Sequence, residues 1–179
     1  MRKVVFIGLG ILLVFVIILG INANITDEPR KVSYIRIHIR ADSNLERDQN
    51  VKYGVKDAIV DYLAPCLAEA ESFAESMSVI SARLSGIERA ADKVLRANGV
   101  SYTARARLGE ETFPARSYDG ITLDSGVYDA LIVELGAGAG DNWWCVVYPP
   151  LCFLNAKGTD GDGITYKSKI MEIIRKLTG

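Results

Sequence analysis

Histidine occurs once in this 179-residue chain, cysteine three times and proline five times, and each scarcity narrows what the protein can be. With a single imidazole, His38, any Ser-His-Asp or Cys-His site has to use that residue. Three cysteines are too few for a disulfide-built scaffold, and one His with three Cys in no CxxC spacing makes a poor zinc set. A cationic surplus is missing as well. Lys and Arg number 21 against 22 Asp and Glu, for a formal net charge of −1, so nucleic acid is not the expected partner. What the chain does have is apolar mass, 49% of its residues, enough for one domain to bury a core unaided.

That apolar mass starts early. Val4 to Ile21 carries no charge and follows Arg2 and Lys3. A basic start before an apolar run marks residues 1–24 as an export signal peptide or a signal anchor. The run is short for spanning a bilayer yet long for a signal-peptide core, so cleavage and anchoring both stay open. Residues 25–31 read as a polar linker in which Pro29 discourages helix. Residues 32–179 are expected to form one domain acting outside the membrane.

Tyr34 to Arg40 alternates strictly, with Ile35, Ile37 and Ile39 on one face and Tyr34, Arg36, His38 and Arg40 on the other. The alternation predicts a half-buried strand. Ser43 and Glu46 have capping-box spacing before a helix whose stripe is Val51, Val55, Ile59, Tyr62 and Leu63, with Lys52 outside it and Pro65 as its end. A second helical stretch is expected from near Leu67 and a third from Ser78 to Ala97, closed by Asn98-Gly99. From Val100 the period becomes two. A loop is expected over Phe113 to Tyr118, strands over Ile121–Leu123 and Val127–Leu135, and a hairpin connection over Gly136 to Asn142. Trp143 to Tyr148 reads as an interior strand, apolar on both faces and ended by Pro149-Pro150. Tyr166 to Leu177 reads as a final helix. Helices segregated from strands in this way predict an α+β domain, a mainly antiparallel sheet with helices packed on one face.

The chemistry-bearing groups are few. His38 lies mid-strand between Arg36 and Arg40 with no orienting carboxylate nearby in sequence, and reads as a solvated strand residue. The Gly136–Gly140 run precedes a strand, whereas a dinucleotide fingerprint precedes a helix. Asp160-Gly161-Asp162-Gly163 fails the EF-hand template, because the bidentate position falls on Lys169. No cofactor, metal or small-molecule substrate is therefore expected. Cys145 and Cys152 flank a Pro-Pro bend and read either as a disulfide or as two buried thiols; Cys66 has no obvious partner. Two surface features stand out. Arg36, His38, Arg40, Arg105 and Arg107 would form a cationic face if strands 34–40 and 100–108 share a sheet. Trp143 and Trp144 point to opposite faces, so helices on one face leave one indole as a contact residue.

Three blocks together resemble stage II sporulation protein R of endospore-forming bacteria. They are Arg36-Ile37-His38-Ile39-Arg40-Ala41-Asp42-Ser43-Asn44 with Asp48-Gln49 and Val55-Lys56-Asp57-Ala58, then Phe113-Pro114-Ala115-Arg116-Ser117-Tyr118. The third is Gly126-Val127-Tyr128-Asp129-Ala130 together with Asn142-Trp143-Trp144-Cys145 running on to Pro149-Pro150-Leu151-Cys152-Phe153. The resemblance spans about residues 34–154, with Asp42 where that segment carries Asn. It implies a signalling protein and not an enzyme, made in the forespore and exported into the space facing the mother cell. There such proteins are needed for a membrane-embedded aspartic protease to cleave the precursor of sigma factor E. The family brings no catalytic residues. On this reading the partner-contacting residues are Trp143, Trp144, Phe113, Arg116, Tyr118, Arg36 and Arg40. The rival readings are an extracytoplasmic hydrolase of cell-wall or peptide substrates, resting on His38, Cys145 or a pair such as Asp42 and Asp57, and a membrane-surface binder acting through the Arg-rich strand faces.

Overall fold

The structure is a computed structural model and describes residues 33–118 and 121–153. The expected leader, the linker, the 160–163 turn and the Tyr166–Leu177 helix lie outside those residues. Strand β1 (Ile35–Arg40) leads into helix α1 (Glu46–Leu67) and helix α2 (Phe73–Ala97). Strands β2 (Ala104–Phe113), β3 (Arg116–Tyr118), β4 (Ile121–Leu123), β5 (Gly126–Leu135) and β6 (Asn142–Tyr148) follow. The domain is α+β. Its sheet has the order β2-β5-β1-β6, and β3 and β4 form a separate hairpin. The sheet is mixed: β1 runs parallel to β5 and antiparallel to β6, while β2 and β5 are antiparallel.

Both helices lie on one face, where Ile35, Ile37 and Ile39 meet Val55, Ile59, Leu63, Ile80, Ile87 and Leu95 in the main core. The three expected helical stretches are two. Pro65 is carried inside α1, so near its end that only the Asp61 carbonyl loses an amide partner. The real break is at Ser72, whose hydroxyl accepts from the Glu75 amide while Glu75 accepts from the Glu71 amide. That reciprocal cap starts α2 at Phe73. The expected capping box at Ser43 and Glu46 does not form. Leu45 is the cap residue of α1, without a side-chain bond, and Ser43 Oγ instead accepts from the Leu45 amide and donates to Asp48. Asn98-Gly99 closes α2, with Gly99 at φ 69°.

Three further expectations are corrected. Strand β1 is covered on both faces, since Arg36 and His38 are buried along with the isoleucines. Phe113 ends β2 and Arg116–Tyr118 is strand, not loop. Trp143–Tyr148 is an edge strand despite being apolar on both faces. Face burial and edge position are independent, because one concerns the side-chain direction and the other the hydrogen-bonding direction. Gly136–Gly140 consequently joins two strands that flank β1 and steps across its end.

Candidate functional site

The face of the sheet turned away from the helices carries the side chains of interest. Alternation on β1 sends Arg36 and His38 to that face. They are covered by the end of β2 and by the β3–β4 hairpin, through a small cluster of Phe113, Ala130 and Ile132 with Tyr128 and Trp144. Arg36 is fully buried. Its guanidinium lies 4.2 Å from the Phe113 ring centre, 5.0 Å from Tyr128 and 5.9 Å from Tyr118. It donates to the Pro114 carbonyl at 3.3 Å and the Tyr118 hydroxyl at 2.9 Å. Among the described residues, three ring faces and two neutral acceptors surround it, with no carboxylate paired to it.

His38 is buried too, with Nδ1 2.6 Å from a Glu111 carboxylate oxygen. The orienting carboxylate that the neighbouring sequence lacks is thus supplied by β2, and the solvated-residue reading is corrected. The other Glu111 oxygen pairs with Arg40, which also donates to Glu134 at 2.8 Å. Register through β5 does put Arg40 in line with Arg105 and His38 in line with Arg107, so the five residues share a face as expected. It is not an open cationic patch: Arg36 is internal and Arg40 is matched by two carboxylates, leaving Arg105 and Arg107 as its exposed cations.

Trp143 and Trp144 do face opposite sides. Trp143 pairs across with Ile39 on the helix side, Trp144 with His38, and each indole is half-buried. Each also carries a cation, Lys56 at 5.8 Å from the Trp143 ring centre and Arg116 at 5.0 Å from that of Trp144. Arg116 is exposed, Tyr118 half-buried and Phe113 buried. Structure thus gathers Trp144, Arg116, Tyr118, Phe113 and Arg36 into one layered group. Its outer members are Arg116 and Trp144, and its base is Arg36.

Cys145 and Cys152 are bonded, with Cα atoms 5.9 Å apart, which decides between the bridge and the free thiols. Closing so short a loop removes unfolded-chain entropy worth about 2–3 kcal/mol. Cys145→Ser with Cys152→Ser is expected to lower stability by about that amount, read as a shift in a urea unfolding midpoint relative to the oxidised parent.

A second polar cluster, missed by the sequence reading, lies at the end of β1. Asp48 is buried and accepts from Ser43 Oγ at 2.6 Å, Tyr102 at 3.0 Å and Arg47. Lys52, one turn later and equally buried, donates to Gln49 at 2.6 Å and the Asp141 carbonyl at 2.9 Å. Helical phase held the signal, because positions 48 and 52 share the buried stripe of Val55 and Ile59. The Ser43 hydrogen bond, with those of Tyr102 and Arg47 behind it, outweighs burial and holds the Asp48 carboxyl below its usual range. Burial lowers Lys52. Burial, then the Asp48 carboxylate, push Tyr102 up to about 12.

A tyrosine raised in the folded state adds stability that is complete below its unfolded pKa near 10 and lost as pH climbs to about 12. Allowing for the partial exposure of Tyr102, that loss is about 1–2 kcal/mol. Tyr102→Phe is expected to flatten this alkaline limb, measured as unfolding free energy at pH 9 and pH 12. Equal slopes for parent and variant would show that the hydroxyl does not keep its proton.

Among the described residues no group of three His, Cys, Asp or Glu side chains could hold a metal ion, and no helix is long and apolar enough to cross a membrane. Comparison with known proteins adds an identification by sequence. Residues 31–158 match the family model described as Stage II sporulation protein R. The chain is 32% identical over 121 residues to the Stage II sporulation protein R of Bacillus subtilis (strain 168). That match covers 68% of this chain and 54% of the relative, so the chain spans about half the length of the relative it matches. No solved structure is detectably similar.

Proposed function

Because the chain belongs to the stage II sporulation protein R family, a family of sporulation signalling proteins and not a known enzyme family, we propose that it is an exported ligand that activates a membrane-embedded aspartic protease. It is exported from the forespore into the intermembrane space, with its leader cleaved or kept as a membrane anchor, and the protease then cleaves the sigma factor E precursor in the mother cell. The disulfide between Cys145 and Cys152 supports a site outside the cytosol, where such bonds persist. The observation that carries the contact assignment is the exposed Arg116 over the half-buried Trp144. Aromatic and arginine side chains in this arrangement are the usual energetic centres of protein interfaces. Activation needs only that binding be tighter to the active arrangement of the protease than to the inactive one.

The test is co-expression with the protease and the precursor in a non-sporulating host. Cleavage is expected to require this chain, and Trp143→Ala with Trp144→Ala is expected to reduce it by at least tenfold. A doubly substituted protein that folds, is secreted and still drives cleavage sinks the contact assignment.

The hydrolase reading draws on one observation, the buried His38 held by Glu111. The other ring nitrogen, Nε2, is buried without a hydrogen-bond partner among the described residues, and the ring packs on Trp144 and Phe113. No nucleophile is presented to it there. Turnover of a peptide or glycan substrate by the purified chain, abolished in His38→Gln, would favour that reading instead.

A further inference from the structure

The two edges of the sheet are treated differently. On β2 the outward amides of Ala104 and Ala106 are capped by side chains of α2, donating to Asp92 at 2.8 Å and Glu88 at 3.0 Å. Beyond them β2 exposes Arg105, Arg107 and Glu110. Caps and edge charges are the usual means of keeping a foreign strand off a sheet.

The other edge has neither. Strand β6 reads Asn-Trp-Trp-Cys-Val-Val-Tyr, without a charged residue. Among the described residues no strand pairs with its outer side, and no side chain caps its amides from Trp143 to Val147. Alternate residues of an antiparallel strand direct both N–H and C=O away from the partner, so half of this segment presents a ladder that is unpaired among the described residues. Its length, seven residues, suits one added strand. The cis Tyr148–Pro149 bond and Pro150 end it.

The flanks specify what can be added. On one face Lys56 stands over Trp143 and on the other Arg116 stands over Trp144. Lys56 has Asp57 beside it, whereas Arg116 has no carboxylate partner among the described residues. A second copy of the chain would double the cations of the seam. An extended segment of another protein that carries a carboxylate on the Arg116 side and apolar side chains against the indoles would neutralise Arg116 and cover both rings.

We infer that β6 is a strand-addition site: an extended, acidic segment of the partner protein pairs with its open edge, and the carboxylate engages Arg116. Main-chain bonds give such a complex its affinity, and alternate side chains give it specificity. The inference deepens the docking function proposed above and rests on it.

Hydrogen exchange on the full chain, alone and in complex with the co-expressed membrane protease, tests it. In the free chain the outward amides of β6 are expected to exchange fast, and in the complex they slow by at least tenfold. Arg116→Glu is expected to weaken the complex at least tenfold with an unchanged melting temperature. A complex in which those amides exchange as in the free chain overturns the strand addition and leaves the docking function standing. Amides already protected in the free chain show the edge occupied by this chain or its copy, and also overturn it. Failure to form any complex overturns both.

Discussion

Gly140→Ala is expected to cost the domain about 3 kcal/mol, a fall of about 6–12 °C in melting temperature for a chain of this size. A Cβ at that position would overlap the main-chain carbonyl of Ser43 and crowd the Ala41 side chain. A flexible side chain could swing aside, but this obstacle is backbone. It is fixed by the bonds that join the two loops: the Gly140 amide donates to Ala41 at 2.9 Å, the Ala139 amide to Asp42 at 3.2 Å and the Asp141 amide to Asn44 at 2.6 Å. Relief requires the β5–β6 connection to lift from the β1–α1 turn. That lift also removes the Asp141 carbonyl from Lys52, leaving a buried ammonium with one fewer acceptor. A urea midpoint equal to that of the parent would show the clamp to be looser than described.

Arg36→Ala is the other large effect, also about 3 kcal/mol, and its sign depends on two opposed terms. Burying a guanidinium with no carboxylate partner among the described residues costs several kcal/mol, so its removal relieves something. Against that, alanine opens a cavity in a fully buried site and leaves the Pro114 carbonyl and Tyr118 hydroxyl without their donor. Because Pro114 is exposed and Tyr118 half-buried, water takes up part of the loss and each orphan costs about 1 kcal/mol, while the cavity supplies the larger share. The cavity and orphans win. Arg36→Met keeps most of the volume while discarding the charge, and is expected to lose about 1 kcal/mol less than alanine. Equal losses for the two variants, measured by equilibrium unfolding, would mean that the guanidinium bonds and not the filled space hold the hairpin down. Because β3 and β4 rest on Arg36 through Tyr118, Arg36→Ala is also expected to loosen the Arg116–Trp144 pair.

Legibility varied with distance along the chain. The phase of β1, the stripe of α1, the Asn98-Gly99 cap and the opposite pointing of Trp143 and Trp144 were all readable, since each depends on neighbours within a few positions. The Ser72-x-x-Glu75 cap is legible by the same rule. The contents of the second face were not readable. Arg36, His38 and Arg40 alternate with isoleucines as solvated residues do, and nothing near them in sequence announces that Glu111, 73 positions from His38, will fill the vacancy beside the imidazole. Lys52 reads as lying outside the stripe because a lysine is usually solvent-facing, yet it is buried. Its partner, the Asp141 carbonyl, lies 89 positions away.

By itself the sequence determined the α+β class, the family through residues 31–158, and which side chains share a face. Those follow from backbone geometry that repeats every two or 3.6 residues. Tertiary structure alone decided that β5 joins β1 in parallel, that β6 lies at the edge, that Arg36 is internal and that Cys145 meets Cys152. Each of these is a closure between segments whose periodic patterns are compatible with several pairings, and the choice among pairings is made by how the whole core fills its volume.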